Sequence, residues 1–402
     1  MKIELMRHID YFVGRPLCFL LSIANFFLGL FDFNKKRVPA YKKILFVKLS
    51  EMGSIILAHP LISRAAADYP EAKIFFLTFQ KNKYIFDLLK SLPQENILTI
   101  RESPFPLFIL DSLKAVARLR REKIDLAFDL ELFSRCTAIL TYLSAAKKRV
   151  GFFRYDFEGL YRGGLLTHKV QYNPLIHTAK SFMSLWEVIN APCKKSPELS
   201  KKIEESRLQI PKVEVDDKAR QRMKERLRGF GIDDNSKVFL INPGEGRLPL
   251  REWPLENYIK VANRILQDEK NFLVVAGMED YSNKKDLFIS SLSSKRCVDL
   301  VNKTTLEELL VLFDIARALI ANDCGLAHLA SLTGVKKFIF FGPESPQLYL
   351  PLGGNSCVFY SHMPCSPCFS ALNHRKSSCR DNKCLKAISC EEVIYTLEES
   401  VL

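Results

Sequence analysis

The chain has 402 residues, which is too long for one ordinary core and predicts two domains. Its hydrophobic content of 48% and charged content of 26% are typical of globular proteins and exclude extensive disorder. The net charge of +14 favours acidic partners such as nucleotides, phosphorylated glycolipids or anionic membranes. The basic residues are scattered and form no zinc-finger or RNA-binding signature, so nucleic acid is not an expected partner. The 11 cysteines, an odd number, favour a reducing compartment.

The first predicted element is an apolar helix over residues 16–31, with Arg15 before it and Lys35 after it. It is shorter than the ~20 apolar residues that a spanning helix needs, and Ser22 and Asn25 interrupt it. Basic flanks on an apolar helix favour a position in the membrane surface, held by apolar burial and anionic lipid. The alternative is a helix packed on the protein's own core. We therefore expect residues 1–40 to form a membrane-associating segment.

From residue 41 apolar strands alternate with helices. The predicted strands cover 43–48, 72–77, 97–100, 124–130 and 149–152, and the predicted helices cover 55–69, 83–89, 107–122 and 135–146. Residues 50–54 are expected to form the turn after the first strand. Apolar strands that alternate with helices indicate a parallel sheet covered on both faces. Residues 41–210 are thus predicted to be a Rossmann-like domain.

After two helices, at 177–190 and 215–230, the alternation starts again. The second set of predicted strands covers 237–241, 272–276, 316–320 and 337–341, with helices at 255–267, 306–314 and 326–333. Residues 211–402 are thus predicted to be a second Rossmann-like domain. Such folds bind ligands at the carboxyl ends of their parallel strands. We therefore expect the two domains to face one another across a cleft that holds the ligand.

The most informative turn has the sequence Asn322-Asp323-Cys324-Gly325-Leu326-Ala327-His328 and joins a predicted strand to a predicted helix. The backbone N–H groups at such a helix start can bind an anion, most often a phosphate. The alternative is a plain helix cap by Asp323. Downstream, the spacing Cys365-x2-Cys368 and Cys379-x4-Cys384 is compatible with zinc or an iron–sulfur cluster. The second pair is loosely spaced, which favours reduced thiols and no metal.

Motifs spread from residue 41 to the C-terminus resemble those of one enzyme family. They are residues 44–50 with Gly53 and Pro60, residues 125–130, Arg149-Val150-Gly151-Phe152, Asn242-Pro243-Gly244, Arg251-Glu252-Trp253-Pro254, residues 322–328 and Phe341-Gly342-Pro343. They are similar to motifs of the heptosyltransferases of glycosyltransferase family 9, the lipopolysaccharide-core enzymes. This resemblance implies the GT-B fold, which has two Rossmann-like domains, here preceded by an N-terminal amphipathic helix.

The resemblance also implies an inverting transfer of heptose from an ADP-heptose donor to a hydroxyl of a lipid-linked glycan acceptor. No cofactor or metal is implied. The location implied is cytoplasmic, peripheral on the anionic inner-membrane surface. The residues expected to bind the donor are Asn242, Gly244, Arg247, Arg251, Gly277, Glu279, Asp323, Cys324, Gly325 and His328.

Three of these donor-site residues have a physical reason beside the resemblance. Arg251 would pair with phosphate as a planar fork, and Arg247 is a second candidate; the alternative for Arg251 is a surface salt bridge with a neighbouring glutamate. Glu279 follows the second strand of its domain, where a carboxylate commonly accepts hydrogen bonds from ribose hydroxyls. Asp280 is the next candidate for the same role. The alternative for Glu279 is an acidic residue favoured at a helix start.

The sequence departs from the family at the proposed base, where Gly53-Ser54 replaces the usual Gly-Asp. A serine with an ordinary hydroxyl is a poor general base near neutral pH. We therefore expect catalysis at Glu51 and Ser54 of the same loop, with Glu51 as the base. Asp129 or Glu131 could serve instead, and His59 is a further polar residue nearby in sequence. Two alternative functions remain open, namely a non-catalytic sugar-nucleotide or glycan binding protein and a transferase that uses another nucleotide sugar.

Overall fold

The computed structural model describes residues 3–30, 40–153, 160–192, 197–198, 202–244, 248–277 and 284–402. The chain divides into two compact units, Met1–Leu208 and Gln209–Leu402. Each unit contains one six-stranded sheet whose strands are all parallel.

The sheet of the first unit has the strand order β3-β2-β1-β4-β5-β6. Its strands are β1 (Lys43–Val47), β2 (Lys73–Phe79), β3 (Ile97–Ile100), β4 (Leu126–Asp129), β5 (Lys148–Phe153) and β6 (His168–Gln171). The helices of this unit are α1 (Ile3–Phe12), α2 (Gly14–Leu30), α3 (Met52–Asp68), α4 (Lys83–Leu89), α5 (Phe105–Glu122), α6 (Arg135–Leu143) and α7 (Thr178–Trp186). Four of the five residues of β1 are fully buried, so both faces of the strand are covered, as its continuous apolar sequence predicts.

The sheet of the second unit has the order β12-β11-β10-β7-β8-β9. Its strands are β7 (Lys237–Asn242), β8 (Asn271–Val275), β9 (Cys297–Asp299), β10 (Ala318–Asn322), β11 (Lys336–Phe341) and β12 (Ser356–Tyr360). Its helices are α8 (Asp217–Arg228), α9 (Leu255–Ile265), α10 (Lys284–Ser290), α11 (Leu306–Ile315), α12 (Gly325–Ala330), α13 (Pro346–Tyr349), α14 (Lys383–Lys386) and α15 (Cys390–Ser400). Read from the first strand of each unit, both sheets have the 3-2-1-4-5-6 order of the Rossmann fold.

The predicted fold of two parallel-sheet α/β domains with an N-terminal apolar helix is confirmed, but three short strands were missed. These strands, β6, β9 and β12, all lie at sheet edges and are three to five residues long. Two local predictions were also wrong. Gly53 and Ser54 lie in the first turn of α3 rather than in a separate turn. The helix expected at 326–333 is α12, which begins at Gly325 and ends at Ala330.

The N-terminal helices α1 and α2 are separated only by Val13, and they pack on α6, where Cys18 is buried in one cluster with Ala138 and Ile139. Asp10 Oδ1 accepts hydrogen bonds from the backbone N–H groups of Arg135 and Cys136, both at 2.9 Å. The same carboxylate pairs with the buried Arg135 guanidinium at 3.1 Å. Asp10 therefore supplies, from a distant part of the chain, acceptors for the unpaired N–H groups at the start of α6.

A second polar contact fixes the far end of this helical segment. Ser22 Oγ accepts from the Gly164 N–H at 2.7 Å, and the Asn25 side chain donates to the Gly164 carbonyl at 3.1 Å. Gly163 has a φ of +70°, and a Cβ there would lie 2.6 Å from the Cys18 carbonyl oxygen, so the approach requires glycine. The stretch Glu4–Leu28 is also long and apolar enough to cross a membrane, judged by length and composition.

Candidate active site

In each sheet the chain continues from the first strand toward one edge and from the fourth strand toward the other edge. In such folds ligands bind in the crevice between the carboxyl ends of these two strands. In the first unit this point lies between β1 and β4, which pair directly. Glu51 follows β1, while Asp129 ends β4 and Glu131 follows it. In the second unit the equivalent point lies between β7 and β10. The three carboxylates considered for the base therefore lie at the expected position of the first unit.

Glu131 binds the loop after β1, and both of its carboxylate oxygens have partners there. Its Oε1 accepts from the N–H groups of Leu49 and Ser50 at 3.0 and 2.9 Å and from the Ser50 hydroxyl at 3.0 Å. Its Oε2 pairs with Lys48 Nζ at 2.7 Å. Burial alone would raise the pKa of Glu131, but Lys48 and the Ser50 donors outweigh it, so the pKa is lowered. Glu131 thus fixes the backbone of the loop after β1 and holds Lys48 beside it.

Asp129 is fully buried and is held by Arg162, whose Nη1 donates to Asp129 Oδ2 at 2.7 Å. Its other oxygen accepts from the Glu131 N–H at 3.1 Å. Burial raises the pKa of Asp129 to about 6, although the Arg162 charge opposes the shift. A carboxylate without solvent access and with a fixed partner on each oxygen is not placed to accept a proton from an acceptor hydroxyl.

Glu51 is the exposed carboxylate at this edge, with 39% of its side chain accessible. The Ser54 hydroxyl donates to Glu51 Oε2 at 2.9 Å, and Lys48 Nζ lies 3.8 Å from the same oxygen. Glu51 has a φ of +66°, a conformation that costs a non-glycine residue about 1 kcal/mol or more and is enriched at functional positions. Ser54 is buried and so acts on Glu51 rather than on solvent. The two residues predicted together from the loop do contact each other.

His59 lies on α3, where its Nδ1 is 3.2 Å from the Ser63 hydroxyl. Burial lowers the pKa of His59 to about 4, so the ring is neutral at physiological pH.

In the second unit, Asn322 joins three segments at the end of β10. Its Oδ1 accepts from the Trp253 N–H at 2.9 Å, and its Nδ2 donates to the Gly244 carbonyl at 3.0 Å. Asn242 makes a similar connection, because its Nδ2 donates to the Ala276 carbonyl at 2.6 Å. Both amides are thus used to hold the loops that surround the carboxyl ends of β7, β8 and β10.

Arg251 lies at the centre of this edge and is paired with two carboxylates. Its Nη2 donates to Glu344 Oε1 at 2.6 Å, and its Nη1 lies 3.6 Å from Asp323 Oδ2. The carboxylates paired with Arg251 are thus distant in sequence, whereas Glu252, one of the two neighbouring glutamates considered as an alternative partner, pairs with Lys284. Burial raises the pKa of Asp323, with Arg251 opposing the shift. Arg251 is therefore a partly buried cation within a group of acidic side chains.

The residues after Asp323 form the short helix α12. Cys324 is its N-cap and Gly325 its first residue. Burial raises the pKa of the Cys324 thiol, although the N–H groups of Ala327 and Leu326 favour the thiolate. His328 is buried on the same helix. Because α12 has only six residues, its dipole is small, and the charge of this edge comes mainly from side chains.

Gly277 follows β8, and its carbonyl accepts from the Asn302 N–H at 3.0 Å. Arg247, Glu279 and Asp280 lie outside the described residues. Two residues that matter here were not predicted, namely Asn322 as a connector and Glu344 as the partner of Arg251. Glu344 follows the Phe341-Gly342-Pro343 motif, and its position beside a motif was the signal that could have found it.

The cysteine-rich tail lies in the same unit. The thiols of Cys365, Cys368 and Cys379 are close enough to Cys384 to raise its pKa further, although burial is the larger cause. Within the described ranges, no three His, Cys, Asp or Glu side chains are arranged to hold a metal ion.

The model of glycosyltransferase family 9 (heptosyltransferase) matches residues 113–378, which is more than half of the chain. Lipooligosaccharide heptosyltransferase 2 of Haemophilus ducreyi is 22% identical over 330 residues, covering 79% of this chain and 88% of that enzyme. Lipopolysaccharide heptosyltransferase 2 of Salmonella typhimurium is 24% identical over 132 residues. This match covers 32% of this chain and 38% of that enzyme.

Among solved structures, that of the E. coli ADP-heptose lipopolysaccharide heptosyltransferase II is similar, with a TM-score of 0.67 and 19% identity. The structural match covers 89% of this chain and 98% of the E. coli chain, which shows that the two share a fold. On the family match, the chain belongs to glycosyltransferase family 9 and is a glycosyltransferase.

Proposed function

We propose that this chain transfers a heptose, with inversion, from ADP-heptose to a hydroxyl of a lipid-linked lipopolysaccharide-core acceptor. The observation that carries the proposal is the partly buried Arg251, which lies beside Asp323 at the carboxyl end of β10, next to β7. The chain that presents this arginine belongs to glycosyltransferase family 9. The structural neighbour from E. coli is named for ADP-heptose and lipopolysaccharide, which supports this donor and this class of acceptor.

The second unit would bind the donor. In glycosyl transfer the bond between the sugar C1 and the diphosphate oxygen breaks, and the leaving diphosphate gains negative charge. A fixed guanidinium stabilises such charge through paired N–H···O bonds and needs no metal ion. Arg251 would supply this group, and the N–H groups near Asp323, Cys324 and Gly325 would add to it. Arg247, Glu279 and the loops held by Asn242, Asn322 and Gly277 would complete the donor site.

The first unit would supply the base. The acceptor hydroxyl must lose its proton as its oxygen forms the new bond to C1, and a carboxylate within hydrogen-bond reach accepts it. Asp129 and Glu131 are fixed by Arg162 and Lys48, respectively, which leaves Glu51 as the carboxylate that solvent and substrate can reach. The Ser54 hydroxyl would orient Glu51, since it donates to the carboxylate at 2.9 Å.

The N-terminal helices would hold the enzyme at the cytoplasmic face of an anionic inner membrane, where a lipid-linked acceptor is found. One face of these helices is docked on α6, as described above. The large apolar side chains that remain exposed are Leu5, Tyr11, Phe12, Val13, Leu17, Phe19, Leu20, Ile23, Phe26, Phe27 and Leu28. Polar anchors on one face and apolar side chains on the other favour a helix that lies in the interface rather than one that crosses it.

The test is a transfer assay with ADP-heptose and a heptose-deficient lipopolysaccharide, beside thermal-shift measurements with ADP, UDP and GDP sugars. We expect ADP-heptose alone among these donors to give transfer and the largest stabilisation. Glu51→Gln should lower kcat by about 10²- to 10⁴-fold, the usual contribution of a general base, while donor binding stays intact. Ser54→Ala is the matched control, and it should lower kcat far less. A protein that neither binds nor consumes ADP-heptose would refute the proposal.

The second candidate is a non-catalytic binding protein on the same fold, and the Gly53-Ser54 pair favours it because the family's usual Asp is absent. The same assay separates the two functions. Donor binding without any transfer by the wild-type protein would support the binding protein, whereas transfer that disappears in Glu51→Gln would exclude it.

A further inference from the structure

The C-terminal tail is packed on the three residues, 342–344, that follow β11 and end with the partner of Arg251. The Phe369 N–H donates to the Pro343 carbonyl at 2.8 Å. A Cβ on Gly342 would lie 2.9 Å from the Cys384 sulfur, so only glycine allows the tail to approach this closely. The C-terminal tail therefore packs beside Arg251 and forms part of its surroundings.

The tail brings a second arginine to the same carboxylate. Arg375 Nε forms an ion pair with Glu344 Oε1 at 3.1 Å, and that oxygen also accepts from Arg251 Nη2 at 2.6 Å. Each guanidinium also lies near an aromatic ring. The Cζ of Arg375 is 5.0 Å from the centre of the Tyr349 ring, and that of Arg251 is 5.9 Å from the centre of the Phe369 ring. Two guanidinium groups thus converge on one oxygen atom.

The backbone at Arg375 is shaped for this position. Arg375 and His374 have φ values of +54° and +52°, a conformation that side chains other than glycine rarely adopt. The turn is held by the Arg375 N–H, which donates to the Ser370 carbonyl at 2.8 Å.

The charged groups of this cluster are the two arginines and two carboxylates, Glu344 and Asp323, and burial raises the pKa of both carboxylates. Glu344 is 1% exposed, and burial raises its pKa to about 8 although Arg251 opposes the shift. It therefore takes up a proton more readily than an exposed carboxylate and offsets less of the arginine charge. The two arginines remain charged, because a guanidinium does not lose its proton in proteins. Arg251 Nε is buried and has no hydrogen-bond partner within the part of the chain that the structure describes. A partly buried excess of positive charge with an unused donor is an arrangement suited to an anion.

We propose that Arg375 is a second arginine of the donor site, carried there by the C-terminal tail and positioned by Glu344, and that it binds the diphosphate together with Arg251. This inference rests on the proposed function. A diphosphate offers two groups of oxygens, so two planar guanidinium forks can each engage one phosphate. Glu344 acts through the two arginines and is a positioning residue.

The test is calorimetric titration of the full-length protein with ADP and with adenosine. Arg375→Ala should weaken ADP binding by about 10- to 100-fold, the usual worth of a charge-assisted contact, and leave adenosine binding unchanged. Arg375→Lys should recover part of the loss, since it restores the charge without the fork. Lys376→Ala is the matched control, because it removes an exposed cation from the next position of the tail and should leave ADP binding unchanged.

Four outcomes would overturn the inference. ADP binding that is unaffected in Arg375→Ala shows that Arg375 does not touch the donor, while the proposed function stands. Equal losses for ADP and adenosine indicate that Arg375 only supports the fold. A wild-type protein that binds no ADP removes the proposed function and this role of Arg375 together. A loss in Lys376→Ala equal to that in Arg375→Ala would also refute it, because the effect would then be one of net charge.

Discussion

Phe26 and Phe27 lie near the end of α2 and give the clearest test of the proposed membrane-facing surface. Their side chains are 64% and 56% exposed, and their rings contact each other edge to face at 5.7 Å. The change is the double substitution Phe26→Ser and Phe27→Ser. Because neither ring contributes to the buried contacts with α6, we expect the fold to be retained and membrane binding to be weakened.

The magnitude follows from the exposed area. A phenylalanine side chain presents about 200 Å², so each ring has roughly 110–130 Å² left to bury, worth ~3 kcal/mol at complete insertion. The membrane surface is only partly apolar, and a helix lying in it inserts to a limited depth. We therefore expect the double variant to lose at least about tenfold in vesicle partitioning, which corresponds to ~1.4 kcal/mol.

The assay is cosedimentation with vesicles of phosphatidylethanolamine containing phosphatidylglycerol, at low and high salt. Tyr395→Ser is the matched control, because Tyr395 is 65% exposed on α15 of the other unit and should not affect binding. Binding should also fall with salt and with removal of phosphatidylglycerol, since the basic residues contribute. Unchanged partitioning of the double variant, or an equal loss in Tyr395→Ser, would refute the assignment of this surface.

Asp10→Ala should destabilise the first unit by about 3 kcal/mol in urea unfolding, because it leaves the buried Arg135 charge without this carboxylate and removes the acceptor of two N–H groups at the start of α6; a loss below ~1 kcal/mol would contradict this role. Asn322→Ala should cost the second unit ~2 kcal/mol, since two buried hydrogen bonds are lost, and an unchanged midpoint would contradict this. ADP affinity should fall as pH rises through about 8, because Glu344 then ionises beside Arg251. Glu344→Gln should remove that fall, and a fall that persists in the variant would assign it to another group.

The sheets were predictable because their strands are buried on both faces and so appear as continuous apolar segments, as in β1 and β10. The edge strand β9 has three residues, of which one is buried, and such a segment has no periodicity to detect. Edge strands pair on one side only, and neighbouring strands rather than local sequence decide whether they form.

The candidate site was predictable only as far as local motifs reach. Glu51 and Ser54 are three residues apart, and their contact follows from adjacent positions at the start of a helix. The partners of Arg251 and Arg375 are different, because Glu344 lies 93 residues beyond Arg251. An ion pair between such distant residues depends on the order of strands in the sheet, which composition and spacing do not specify.

The contact between Asp10 and the start of α6 has a consequence for synthesis on the ribosome. The two partners are separated by 125 residues. At a typical rate of ~10 residues per second, the apolar helices wait ~10 s before their docking site exists. During that interval the face of the helices that later packs on α6 is exposed, in addition to the apolar face that stays exposed. A newly made chain therefore presents an apolar helix on all sides. Under the proposed membrane position, contact with lipid can then precede folding, and the first unit would assemble on the membrane surface.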